Sequence, residues 1–311
     1  MARKLKDYLL ISLKGMGMGA ADVVPGVSGG TIAFITGIYE ELINTLKSIN
    51  LNAIKLLLKF RWKEFFEAIN AKFLFTLMAG IGLSVFTLAK LIKFLLVNHP
   101  ILIWSFFFGL IVASAIVIAR KIDQWNPRTI IALLGGIALA YWITVVTPAE
   151  TPTDYWFLFL SGALAICAMI LPGISGAFIL LLLGKYEYIL HALGNFQLDV
   201  IAVVGIGAVI GLLSFSNLLA WLLKNYHNMT IGLLSGFMIG SLNKVWPWKE
   251  TISTFTDRHG VEKPLVQENI LPDTFETIMQ QDAQLMASIL LAIGGFLLIY
   301  LMEKFSPENS K

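Results

Sequence analysis

The chain has 311 residues, of which 57% are hydrophobic and only 14% charged, and its mean hydropathy is +0.77. Soluble domains carry about 25% charged residues, so this sequence cannot clothe a water-facing surface. The net charge of +3 is no nucleic-acid signature, because the cations gather at the ends of apolar runs, and the single cysteine, Cys167, inside such a run, excludes a disulfide framework or a cysteine metal site.

In chain order, Arg3, Lys4, Lys6 and Lys14 surround a short apolar stretch with no A-x-A site, so no cleavable signal is expected. Residues 51–70, LNAIKLLLKFRWKEFFEAIN, read as an amphipathic helix lying on the inner membrane surface. Six apolar runs follow: Phe73–Val97, Ile101–Ala119, Thr129–Val146, Val200–Leu223, Met229–Val245 and Leu285–Met302. Each is near the roughly 20 residues that span a bilayer. Basic residues mark cytoplasmic loops. They crowd residues 1–14, 44–72 and 120–128, with Lys224 in a further loop. The segment 147–154 holds Glu150 and Asp154 without a cation, and 246–284 holds three cations against seven acids. Counting spans then puts both termini in the cytoplasm, with Lys90 and Lys93 snorkelling to the outer interface. Trp246, Pro247 and Trp248 fit an aromatic belt at that interface, and Asn243 and Lys244 beside them could help bind a headgroup.

Two segments repeat at an offset of 147: PGVSGGTIAFITGIYEELI from Pro25 and PGISGAFILLLLGKYEYIL from Pro172. Seven identities hold that register: Pro25/Pro172, Gly26/Gly173, Ser28/Ser175, Gly29/Gly176, Gly37/Gly184, Tyr39/Tyr186 and Glu40/Glu187. Weaker echoes pair GLSVF at Gly82 with GLLSF at Gly211, and GLIVAS at Gly109 with GFMIGS at Gly236. Three spans lie between the copies, and an odd number inverts the second, whether the motif segments re-enter or cross. The expected fold is an all-α polytopic membrane protein: an inverted repeat with two re-entrant or broken helix hairpins plus about six transmembrane helices. It forms one membrane domain over 1–311, with repeat 1 at about 8–119, a linking helix 129–146, repeat 2 at about 155–246 and a final helix 285–302.

Pro removes a donor and Gly loosens a helix, so each motif interrupts the chain inside the membrane. Such backbone is tolerated only when buried in protein or lining a wet cavity. The half-helices restarting near Gly30 and Gly176 offer free amides to an anion, and Ser28, Thr31 and Ser175 add hydroxyls. Asp22, whose counterpart is Met169, is either a titrating carboxylate or a cap for the broken backbone. Glu40 and Glu187 are coupling candidates, or else partners in an interfacial Glu–Tyr pair. Lys185 has two candidate partners, the substrate anion and Glu187. No metal site is expected, because the four histidines are scattered, and GMGMGA at Gly15 follows no strand as a dinucleotide fingerprint requires. An intramembrane phosphatase needs clustered histidines or arginines at membrane depth, and none occur, so no enzyme activity and no cofactor are expected.

At GMGMGAADVVPGVSGGTIAFITGIYEELI and LPGISGAFILLLLGKYEYIL the sequence resembles the bacterial polyprenyl-phosphate transporters, and the resemblance runs over essentially the whole chain, GSLNKVWPW included. It implies a flippase returning undecaprenyl phosphate, the lipid carrier of cell-wall glycan synthesis, from the outer to the cytoplasmic leaflet of the bacterial inner membrane. The family's motifs fall on Asp22, Pro25, Gly26, Ser28, Gly29, Gly30 and Thr31, and on Pro172, Gly173, Ser175 and Gly176. The second copy departs at Ala177, where the first has Gly30. The implied partners are a polyprenyl phosphate and the bilayer, with no nucleic acid; a homo-oligomer stays open. The alternative is a secondary transporter of a small organic or phosphate anion, and proton coupling through Asp22, Glu40 and Glu187 is expected.

Overall fold

Helices dominate the computed structural model, which describes residues 3–23, 27–148, 151–256 and 262–304. The first motif region gives α1 (Leu5–Asp22), the half-helix α2 (Gly29–Ile35) and α3 (Tyr39–Ser48). Two short helices follow, α4 (Leu51–Leu58) and α5 (Trp62–Ala68), in place of the single amphipathic helix expected. The chain turns between them at Phe60, whose φ of 55° no helix accommodates. The spans α6 (Ala71–Asn98), α7 (Pro100–Ala119) and α8 (Pro127–Val145) come next; α8 opens on Pro127 at its first position, with the Asn126 side chain accepting from the Thr129 amide.

The second motif region repeats the plan: α9 (Tyr155–Ile170), the half-helix α10 (Gly176–Leu182), α11 (Tyr186–Gly194), α12 (Leu198–Asn225) and α13 (His227–Ser241). Then comes an element that the all-α expectation omitted. Strands β1 (Lys249–Thr256) and β2 (Glu262–Asn269) form an antiparallel hairpin pairing Lys249 with Asn269, followed by α14 (Pro272–Met279) and the last span, α15 (Leu285–Lys304). The indoles of Trp246 and Trp248 donate to the Ile270 and Ala283 carbonyls, and Trp248 is buried against Ile101 and Phe275. These tryptophans pin the polar segment to the bundle.

Among the described residues five helices, α6, α7, α8, α12 and α15, are long and apolar enough to cross a membrane, or six if the bent α10–α11 pair counts as one span. The sixth expected span, α13, stops four residues before Val245. The motif segments re-enter. Thr151, just before α9, donates to the Leu183 carbonyl and accepts from Lys185, so α10 returns to the side where α9 began. Arg3, ahead of α1, pairs with Glu41 in α3, and Asn70, ahead of α6, also donates to Glu41; these ends share the N-terminal face.

Glycines bring the helices together, and the same contacts recur in both halves. A Cβ on Gly15 would strike the Leu77 carbonyl at 2.4 Å, and one on Gly162 the Val204 carbonyl at 2.3 Å; Gly80 meets the Ser12 carbonyl as Gly207 meets that of Phe159. Gly82 faces open space while Gly211 lies against Ala163, so the sequence echo pairing those two was out of register. The last helices follow the same rule. Gly109 of α7 abuts Ala292 of α15, as Gly236 of α13 abuts Leu133 of α8; Gly295 meets Phe106, as Gly136 meets Leu233. With no side chain between them, backbones come into van der Waals contact, which is how apolar helices associate in lipid.

Candidate substrate-binding site

Each half-helix is built alike. α2 and α10 both end on a glycine in the left-handed region, Gly37 at φ 73° and Gly184 at φ 62°. Ile38 donates to the Ala33 carbonyl and Gly37 to that of Phe34; Lys185 and Gly184 repeat this to Leu180 and Leu181. This closes the last turn from outside, and only glycine takes that conformation cheaply. The matched glycines of the sequence are therefore caps.

The two breaks touch. The Ser28 hydroxyl donates to the Met169 carbonyl at 3.0 Å, the Gly173 amide donates to the Thr31 hydroxyl at 3.0 Å, and the Tyr39 hydroxyl donates to the Ile170 carbonyl at 3.2 Å. Val27, Ser28, Gly29, Gly30, Thr31, Pro172, Gly173, Ser175 and Gly176 are all buried. Pro25 and Gly26 lie outside the described residues. In each hydrogen bond the side chain comes from the first motif and the backbone from the second. The reverse set is absent among the described residues, because Thr31 has Phe178 as its counterpart and Ser175 caps nothing.

The two breaks, expected to offer their amides to one anion, are not alike at those amides. In α2 every leading amide is already engaged: Gly29 donates to the Asp22 carboxylate at 2.7 Å, Gly30 to the Ser28 hydroxyl at 3.0 Å, and Thr31 to the Ser28 carbonyl at 2.9 Å. Asp22 thus takes the capping role. Its counterpart Met169 cannot cap, and among the described residues neither the Ser175 hydroxyl nor the Gly176, Ala177 and Phe178 amides has a partner. The uncapped break is the second.

The other candidates separate as well. Glu40 is exposed, whereas both carboxylate oxygens of Glu187 are buried without a partner. No Glu–Tyr pair forms, since Tyr39 bonds to Ile170. The Lys185 amine donates to the Thr151 carbonyl at 2.6 Å and lies 5.7 Å from the Phe157 ring centroid, so no Lys185–Glu187 pair forms either. Its task here is to tie the end of α10 to the start of α9. Lys14 does the equivalent in the first copy, donating to the Thr36 carbonyl at 2.5 Å. Lys14 and Glu41 were not among the candidates, and Tyr39 was one only as a partner of Glu40. Tyr39 was signalled by its place among the matched residues; the other two carry no signal, being unmatched charges beside apolar runs.

The family description "Undecaprenyl phosphate translocase-like" (VCA0040-like) matches residues 18–263, from the end of α1 into β2. A polyprenyl-phosphate transporter of Vibrio cholerae serotype O1 is 49% identical over 99% of this chain and the whole of that protein. One from Staphylococcus aureus is 33% identical over 76% of this chain and 85% of its own length. No solved structure matches the chain. Two touching re-entrant breaks in a polytopic bundle, a match over most of the chain and near-full-length identity to a transporter agree: the chain belongs to the undecaprenyl phosphate translocase-like family.

Proposed function

We propose that the protein transports a polyprenyl phosphate, and specifically that it returns undecaprenyl phosphate from the outer to the cytoplasmic leaflet of the bacterial inner membrane for envelope glycan synthesis. The substrate class comes from the relatives, both named polyprenyl-phosphate transporters. The structural observation that carries the mechanism is the direct contact of the two breaks through Ser28, Thr31 and Tyr39. The phosphate binds at the uncapped second break, on Ser175 and the amides of Gly176 and its neighbours, while the isoprenoid tail stays in lipid. Exchange of the three cross-break hydrogen bonds accompanies rocking of the halves, which exposes the site to each leaflet in turn.

Two further readings belong to this proposal. The repeat units extend through α8 and α15, each last helix packing on the opposite half, because Gly136 and Gly295 make matching contacts there. The N-terminal face is cytoplasmic, because Lys59, Arg61, Lys63, Arg120, Lys121 and Arg128 lie on it and are exposed. Proton coupling runs through Asp22, whose carboxylate holds the start of α2, and through the unpartnered Glu187 rather than Glu40.

Proteoliposomes with a labelled polyprenyl monophosphate in one leaflet test this. Transfer above the protein-free rate, resisting competition by inorganic phosphate, is expected; transfer at the protein-free rate refutes the function, and equal competition favours the small-anion carrier. Asp22→Asn keeps the cap, since asparagine also accepts at a helix start, and is expected to abolish pH dependence. Unchanged pH dependence removes Asp22 from coupling.

A further inference from the structure

A seven-residue half-helix such as α10 supplies little dipole, so a doubly charged phosphate needs fixed positive charge nearby. The cavity that adjoins the second break supplies it. On the face opposite the N-terminus, about 460 Å³ opens between the end of α8, the half-helix α10, the end of α13 and β2. Lys244 and Lys249 line it. The Lys244 ammonium stands 4.5 Å from the Phe178 ring centroid, and the Lys249 ammonium 4.4 Å from that of Trp104 while donating to the Lys244 carbonyl at 2.5 Å.

Among the described residues neither lysine has a carboxylate partner. The one acid on the lining is Glu268, exposed on β2. Burial lowers the affinity of both lysines for their protons, and for Lys249 the neighbouring Lys244 charge adds to it. Two half-desolvated like charges without a counter-ion are costly in a folded protein. An anionic guest offsets that cost. The position is also right for a transport path: Phe178 sits in the first turn of α10, three residues beyond Ser175, and the Ser241 hydroxyl, three residues before Lys244, lies 2.9 Å from where a Gly173 Cβ would stand.

We propose that Lys244 and Lys249 form a second anion site, which captures a phosphate monoester at the mouth of the path before it reaches the uncapped second break. The site stands on the cavity and the two unpaired cations; only the identity of its natural ligand, a lipid monophosphate arriving from the outer leaflet, rests on the transporter reading above.

The test uses the full chain in phosphatidylcholine nanodiscs with two probes, a short-chain polyprenyl monophosphate and inorganic phosphate. Each lysine neutralised, as Lys244→Gln or Lys249→Gln, weakens binding at least about tenfold, since a charge-assisted hydrogen bond contributes 1.5–3 kcal/mol. Lys244→Arg and Lys249→Arg restore it, and Arg128→Gln, on the other face, leaves it unchanged. Removing an unpaired buried charge leaves the thermal unfolding midpoint unchanged or raised, which separates a binding role from a structural one. Loss for the lipid probe alone identifies a headgroup site, and equal loss for both probes a site for the bare phosphate group; either supports the assignment. Binding of both probes within twofold of wild type in the double Gln variant overturns it. Wild-type transport with such unaffected binding would retain the function and discard the site, whereas lysine-dependent binding without transport would do the reverse.

Discussion

Gly30 is where the contact of the two breaks leaves no room, so Gly30→Ala is the most direct probe of it. A methyl there would lie 2.5 Å from the Ile170 carbonyl oxygen and 3.1 Å from both its carbon and the Ser28 hydroxyl. The oxygen belongs to backbone that also accepts from Tyr39, so relief requires the motifs to part by roughly half an ångström or more, judged against ordinary carbon–oxygen contact. Parting strains the Tyr39–Ile170 and Ser28–Met169 hydrogen bonds, about 1 kcal/mol each, and overpacking adds about 1–3 kcal/mol. A better helix former returns at most about 1 kcal/mol. The net loss is then about 2–4 kcal/mol, or on the order of 3–6 °C in unfolding midpoint for a chain of this size. The reciprocal change, Ala177→Gly at the exposed counterpart, costs no more than about 1 kcal/mol. Thermal unfolding in detergent, with transport in liposomes, measures both. An unaltered midpoint for Gly30→Ala, or equal losses at the two positions, would show that the breaks do not press together as described.

Other expectations concern the glycine contacts, the caps and the two cavity lysines. Gly236→Val puts a side chain into the Leu133 carbonyl, 2.2 Å from its Cβ, and is expected to prevent assembly of α8 on α13; Gly135→Ala, with nothing within 4 Å, is expected to stabilise by up to about 1 kcal/mol. Chromatographic homogeneity and unfolding midpoints distinguish the two outcomes. Gly37→Ala and Gly184→Ala each place a Cβ in the left-handed region at about 1–2 kcal/mol, and similar midpoint losses at both check that the caps are equivalent. Lys249 is held down to about 7, first by burial and then by Lys244, from the ordinary lysine value of 10.5. The unfolded chain keeps that proton up to about pH 10.5 and the folded one releases it near 7, so stability rises with pH across that interval. In Lys249→Met that rise is expected to disappear. Phosphate binding, which needs the charged amine, is expected to weaken above about pH 7 in wild type relative to Lys249→Gln. The charged groups facing Lys249 are Lys244 and Glu268, with His99 at its other side, so Glu268→Gln is the control for the slope.

The spans were legible because hydropathy is a property of consecutive residues: α6, α7, α8, α12 and α15 begin and end within two residues of the apolar runs. The exception, α13, is instructive. Its apolar run continues to Val245, but the chain leaves the helix after Ser241 and carries Asn243 and Lys244 to the cavity shared with β2. The hairpin of β1 and β2 was missed because KETISTFT and EKPLVQEN are short and polar, and they gain order by pairing with each other and by the tryptophan anchors. Glu40 drew attention as a matched residue and is exposed, while its neighbour Glu41 pairs with Arg3 at 2.5 Å. On one turn of helix, adjacent carboxylates point apart, and only the fold says which one finds a partner.

From sequence alone came the membrane, the duplication and the odd count of spans that inverts the second copy, since each follows from local composition or from counting. The tertiary structure decided that the segments re-enter, that the Asp22 carboxylate caps the first half-helix while the second has no such cap, and that Lys244 and Lys249 line one cavity with, among the described residues, no ion pair to either. Those outcomes depend on which groups meet across 130 or more residues of chain, as Ser28 meets Met169 and Tyr39 meets Ile170. Hydrogen-bond satisfaction and charge pairing are properties of such meetings, so a linear pattern cannot encode them residue by residue.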